Sequence, residues 1–270
     1  MSPRGVFRTL AAVGLAASVA HGAPHAPTSP AKMVLVGPGI YRPLYPASPA
    51  EQSVAVPRFF LDAKPTTNAD FLAFVSAHPE WRRDRVKPVF ADAAYLSHWQ
   101  APDALGPNAR PAGPVTHVSW FAAKAYCAAR GARLPNEREW ELAALASETA
   151  RDGSANPGFS ARILAFYATP ALTVAVRDVA AGKPNFYGAY DLHGLVWEWI
   201  FDFGASLVTA DSRDKGDADR TRFCGTSGAG AQTPNDYAAF MRVAFRSSLE
   251  AAFTTSRLGF RCAADVGVAP

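Results

Sequence analysis

Residues 114–141, PVTHVSWFAAKAYCAARGARLPNEREWE, constrain the fold more than any other stretch. A turn, an amphipathic helix, a glycine stop and a capped second helix follow one another there without a break. Val118, Phe121, Ala122, Ala125, Tyr126 and Ala129 recur at spacings of three and four, which places them on one helical face. Gly131 supplies a left-handed stop, because without a Cβ it adopts positive φ at little cost. Asn136, with Glu139 three positions on, has the form of a capping box for the next helix, where Trp140, Ala143 and Ala144 face inward. Two helices joined through a four-residue turn are expected, with Cys127 carried on the first.

The N-terminus reads as a secretory leader. Arg4 and Arg8 flank the start of an apolar run over residues 9–20, and Ala20, Gly22 and Ala23 offer a small-residue cleavage point. The run is shorter than the roughly 20 residues that a membrane-spanning helix requires. Residues 1–23 are therefore expected to be a signal peptide, residues 24–32 a Pro-, Ala- and Ser-rich linker, residues 33–266 one folded domain and residues 267–270 a tail. The alternative is an uncleaved anchor; with the leader removed, the chain is expected to be periplasmic and not an integral membrane protein. Losing Arg4 and Arg8 lowers the formal charge from +4 to about +2. With basic residues scattered, that balance argues against nucleic acid as a partner. The 22 prolines and 20 glycines, set against few long periodic runs, predict an α+β domain of short strands, few helices and long ordered loops.

Met33 to Gly39 ends in Gly-Pro-Gly and reads as an entry strand followed by a turn, and Ser53 to Leu61 reads as a second strand. Thr67 opens a helix with Asp70 as the distal member of its cap, and Phe71, Phe74 and Val75 on its core side. Between residues 151 and 181 no clear period emerges, and the sequence assigns little there beyond short strands. The run from Asn185 to Trp199 is dense in aromatics and glycines. Trp197, Trp199, Tyr187 and Tyr190 read there as packing, and Glu198 as a side chain bonded to loop amides. His117 and His193, each near a signature tryptophan, read as structural hydrogen-bonding groups that could meet in space.

The 114–141 stretch, with Gly194-Leu-Val-Trp-Glu-Trp199 and Leu258-Gly-Phe-Arg-Cys262, resembles the formylglycine-generating enzyme family, also called the sulfatase-modifying-factor domain. The resemblance covers roughly residues 33–266 and implies an irregular, C-type-lectin-like single domain. The segment from Asp236 to Leu249 is similar to an exported bacterial branch of that family, which includes pyoverdine-maturation proteins and nitrite-reductase accessory proteins. Any two of the three cysteines could pair by sequence alone. The resemblance implies Cys127 with Cys262. Closing so long a loop would stabilise the fold by about 5 kcal/mol on the chain-entropy model.

Cys224 is then the left-over thiol, either a reactive group or a small buried hydrophobe. Formylglycine-generating enzymes hold Cu(I) on two thiolates in this region, and soft sulfur ligands suit that ion. Aligning Gly225-Thr-Ser227 with the family pattern puts the first copper cysteine near Gly230, and aligning Met241-Arg-Val243 puts the second near Ala238. The copper pair is thus expected to be absent. Leu195 replaces the asparagine of the Gly-Asn-Val-Trp-Glu-Trp pattern and weakens a calcium site; Arg257 replaces the asparagine that precedes Leu-Gly-Phe-Arg. Ser227 matches the family's pocket serine. Cys224 and Ser227 are the catalytic candidates, while Arg242, Arg246, Arg257 and Trp197 are the substrate-binding candidates, the first two as a clamp for a carboxylate. The expected function is an exported accessory or maturation factor that binds a protein or peptide client or a small metabolite without copper chemistry. The alternative is an oxygen-dependent oxidoreductase that works through Cys224.

Overall fold

The computed structural model describes Met1 and residues 32–46, 49–168, 176–204 and 233–267. Among the described residues, three small sheets and five α-helices are linked by long irregular segments. β1 (Met33–Val36), β4 (Phe59–Asp62) and β7 (Ala263–Asp265) form an antiparallel sheet in the order β1-β4-β7. β2 (Gly39–Tyr41) pairs antiparallel with β3 (Val54–Val56), and β5 (Trp197–Trp199) pairs parallel with β6 (Leu258–Phe260). Because β7 adds to β4, the last strand closes against the start of the domain.

The first expected strand ends at its expected turn: β1 stops after Val36 at the cis Gly37–Pro38 peptide, and Gly39 already belongs to β2. The second is interrupted. Ser53 to Leu61 divides into β3 and β4 around Pro57, which has no N–H to continue a ladder, so the chain moves from one sheet to the next.

The helices begin where local chemistry satisfies their free N–H groups. α1 (Asn68–Ala77) starts on a full Thr67/Asp70 capping box and buries Phe71, Phe74 and Val75. α2 (Trp120–Ala129) is capped by Ser119, whose side chain accepts from the Ala122 N–H, and Gly131 follows at φ 68°. Residues 132–135 lead to α3 (Glu137–Ala144), where Asn136 and Glu139 form the second capping box. α4 (Pro157–Ala168) occupies part of the region where short strands were expected. Its buried residues Phe159 and Ile163, one turn apart, meet Ala238 of α5 (Pro234–Ser247). That apolar stripe is too short to announce itself in sequence and is defined by its partner helix.

Buried side chains take over the bonding of the long loops. The Asn68 amide donates to the Arg110 and Gly113 carbonyls, and its Oδ1 accepts from Trp99 Nε1 at 3.1 Å. Arg83 donates to the Leu96 and Trp99 carbonyls, and Asp92 accepts from the Thr254 N–H and hydroxyl. Such pairing is what lets irregular backbone pass through a protein interior.

A disulfide joins Cys127 of α2 to Cys262, between β6 and β7, across a separation of 135 residues; both cysteines are fully buried. Beside it Arg130 makes two hydrogen bonds, of 2.7 and 2.9 Å, to Asp62, which also accepts from the Cys262 N–H. The aromatic core around Phe71, Tyr126, Trp199 and Phe260 packs against this staple. Gly259 lies so close to the Val115 carbonyl that an added Cβ would sit 2.6 Å from it, which explains the glycine of Leu258-Gly-Phe.

Glu198 departs from expectation. Its partners are Arg261 and the Trp140 indole, where loop amides were expected. Arg261 donates through Nε and a terminal nitrogen at 2.8–3.1 Å, and Trp140 Nε1 donates at 2.8 Å. The remaining Arg261 donors reach the Asp62 and Tyr190 carbonyls, and neither member of the ion pair is exposed. Removing one partner strands the other charge without water. Glu198→Gln, which preserves shape, is expected to destabilise the fold by about 3–5 kcal/mol. Chemical denaturation should show a clearly lowered midpoint, and an unchanged midpoint would contradict this role.

Candidate functional site

α5 and β5 bring three of the four substrate-binding candidates together. Trp197 lies between Tyr167 of α4 and Phe245 of α5, with ring centroids 4.7 and 4.3 Å away and interplanar angles of 10° and 23°. Arg242 and Arg246, one helical turn apart on α5, lie near the face of Trp140. Arg257 is half-buried, and its main-chain carbonyl accepts from the Trp197 N–H at 2.7 Å. Catalytic candidates Cys224 and Ser227 lie outside the described residues, as does Gly230.

The arginine pair does clamp a carboxylate, and that carboxylate belongs to the protein. Arg242 holds both Glu141 oxygens through Nε and a terminal nitrogen at 2.7–3.0 Å, and donates to Tyr167 Oη at 3.2 Å. Arg246 adds a bond of 2.8 Å to Glu141 Oε1. All three side chains are at most 10% exposed, so the arginines are not the solvated pair that surface arginines usually make. Burial acts to raise the Glu141 pKa, but the two guanidinium charges and their hydrogen bonds outweigh it and hold the group at about 2. Sequence reasoning passed over Glu141. The available signal was Glu137 and Glu141 four residues apart on a helix whose neighbours, Trp140 and Leu142, are core residues.

Next to this cluster a cavity of about 370 Å³ opens between β2, α3, α4 and α5. Tyr41 and Glu137 form one wall, with the Tyr41 hydroxyl donating to Glu137 at 3.2 Å, and burial raises the Glu137 pKa. Phe159, Ile163 and Ala238 give an apolar wall. Ala238 is 2% exposed. At the place where alignment sets the second copper cysteine there is thus a methyl group packed among hydrocarbon side chains.

His193 lies at the boundary between this cavity and a second one of about 350 Å³. Its Nε2 is 2.9 Å from the Ala144 carbonyl and so donates, and its ring stands edge-on to Trp140 and Phe159. His117 keeps different company: it stacks on His98 with centroids 4.7 Å apart and an angle of 25°, and Thr116 Oγ1 lies 3.3 Å from its Nδ1. His98 Nε2 faces the Asn68 oxygen at 3.3 Å. Among the described residues no group of three or more His, Cys, Asp and Glu side chains is arranged to hold a metal ion. Leu195, in place of the asparagine of the motif, is 2% exposed and offers only hydrocarbon, whereas calcium takes oxygen ligands.

These histidines make the fold sensitive to acid. Burial, the larger cause, and neighbouring groups together lower the pKa of both His98 and His193 to about 4; the neighbours are His117 and Arg83 at His98, and chiefly Arg242 at His193. The unfolded chain takes up these protons near the ordinary value of 6.5, while the folded protein resists until about 4. Their contribution to stability is therefore level above about pH 6.5 and declines as pH falls toward 4. Melting temperature measured across that interval should fall on the acid side. His98→Gln should make the decline shallower, and an identical profile for the variant would rule out His98 as a source.

The chain is similar to known proteins. Residues 19–266 match the family model described as the sulfatase-modifying factor enzyme 1-like domain. The chain is 29% identical over 296 residues to the formylglycine-generating enzyme of Bos taurus, covering 88% of this chain and 76% of that protein. It is 31% identical over 264 residues to the inactive C-alpha-formylglycine-generating enzyme 2 of Mus musculus, covering 80% and 78%. Among solved structures it is similar to PvdO from Pseudomonas aeruginosa at 18% identity and a TM-score of 0.47, over 87% of this chain and 94% of that one.

Proposed function

Since the chain belongs to the family of sulfatase-modifying factor enzyme 1-like domains, we propose that it is an exported accessory or maturation factor. It uses the family scaffold to bind a peptide, protein or small metabolite without copper-dependent formylglycine chemistry. A fold alone does not assign an activity, so the reading rests on the donors the chain possesses.

The supporting observation is a count of sulfurs. The chain has three cysteines, and the disulfide uses two of them. Cys224 is left, and one thiolate cannot make a two-sulfur Cu(I) site within one chain. Ala238 supports the same reading, since it is a buried methyl at the aligned position of the second copper cysteine. Similarity to a relative whose name marks it as inactive is compatible with a retained scaffold and altered chemistry. The leader-like N-terminus carries the export part of the proposal, with the periplasm as the compartment.

A calcium site at the Leu195 position is weakened, since that side chain has no oxygen to give. The Trp197 stack and the cavity beside it are the proposed binding surface, since small-molecule sites combine apolar walls with a few convergent polar groups.

The left-over thiol favours a second reading, an oxygen-dependent oxidoreductase acting through Cys224, and one pair of experiments separates the two. The mature protein, equilibrated with Cu(I) and desalted, is expected to retain far less than one copper per chain. Affinity capture from periplasmic extract should recover a specific client, and Cys224→Ala should leave client capture and maturation unchanged. Stoichiometric copper, or loss of maturation in a folded Cys224→Ala variant, would favour the oxidoreductase instead.

A further inference from the structure

His193 presents an unusual atom. Its Nε2 hydrogen is committed to the Ala144 carbonyl, which leaves Nδ1 as an acceptor lone pair. That nitrogen is buried and has no hydrogen-bond partner among the described residues. Buried polar atoms are nearly always paired, so an orphaned acceptor on a residue that lines a cavity points to a donor supplied from outside.

The cavity's other polar groups are also mainly acceptors. Glu137 and Asp152 carry carboxylates there, against one cation among the described lining residues not already neutralised by Glu141, the exposed Arg42 at the β2 end. Arg242 is spent on Glu141 and Tyr167, while Asp236 is occupied by its own helix cap. The opposite wall is hydrocarbon from Phe159 and Ile163. A volume of about 370 Å³ lies within the range of small-ligand pockets.

We infer that the cavity between β2, α3, α4 and α5 binds a primary ammonium group on a short apolar stem. The ammonium donates to the Glu137 carboxylate and His193 Nδ1, and the stem lies against Phe159 and Ile163. An ammonium has three donors and no acceptor, which suits an acceptor-lined pocket; a carboxylate ligand would meet Glu137 and Asp152 with like charge. The same chemistry is available from a free amine and from the N-terminus of a client peptide. This inference rests on the binding reading above and gives its ligand a chemical class.

The test is calorimetric titration of the intact mature protein with phenethylamine, 3-phenylpropionate and 2-phenylethanol, three ligands of similar shape carrying positive, negative and no charge. A separate arm uses a short peptide starting with phenylalanine, with a free or an acetylated amine. The expected result is saturable one-to-one binding of phenethylamine at millimolar concentration or tighter, with at least about tenfold weaker binding of the other two. Glu137→Gln should weaken the amine by about tenfold, the usual worth of a charge-assisted bond. Ala239→Trp, placed on the half-buried face of α5 that lines the cavity, should block binding sterically even if the Glu137 variant folds poorly. Stronger binding of the free-amine peptide than of phenethylamine would assign the ammonium to a client. Absence of amine binding, equal binding of all three ligands, or insensitivity to Ala239→Trp would overturn the inference. Client capture that persists despite such a failure would show that only the ligand class was wrong.

Discussion

The ion pair between Glu198 and Arg261 is the constraint on which the rest depends. Two charges without exposure hold each other between β5 and the end of β6, and their spare hydrogen-bonding positions bind Trp140 of α3 and the main-chain carbonyls of Asp62 and Tyr190. Five parts of the chain are thereby fixed in relation to one another. Such a pair contributes little net stability compared with well-packed hydrocarbon, but it penalises any arrangement that separates it. That penalty selects one packing for a domain with few residues in regular structure.

The same logic is repeated around it. Asp62 binds Arg130 and the Cys262 N–H beside the disulfide, so the staple between α2 and the last strands is seated by a salt bridge. Asn68 and Asp92 satisfy loop groups that a sheet would otherwise pair. The domain keeps its loops ordered by burying polar side chains in them, and the aromatic core fills the space between.

This economy changes how the arginines of α5 are understood. A pair one turn apart suggests an anion site, but Glu141 occupies it from within. Charge that could have recognised a carboxylate ligand instead ties α3 to α5 and forms one border of the cavity. The cavity is then left with the Glu137 and Asp152 carboxylates and the hydrocarbon of α4.

Much of the frame was legible in the residues themselves. The Thr67/Asp70 and Asn136/Glu139 caps and the Gly131 stop depend on groups within four positions of one another, so their geometry is written locally. The third capping box, Thr233 with Asp236, carried the same signal. α4 was not legible, because its short apolar face has meaning only against Ala238. Nor was the ownership of Arg242 and Arg246, whose partner Glu141 lies 101 and 105 positions away. Sequence alone determined the capped helices and the supply of sulfur. Tertiary structure decided which charges remain for a ligand, because pairing between distant charged groups depends on which of them are buried together, a property of the packed chain as a whole.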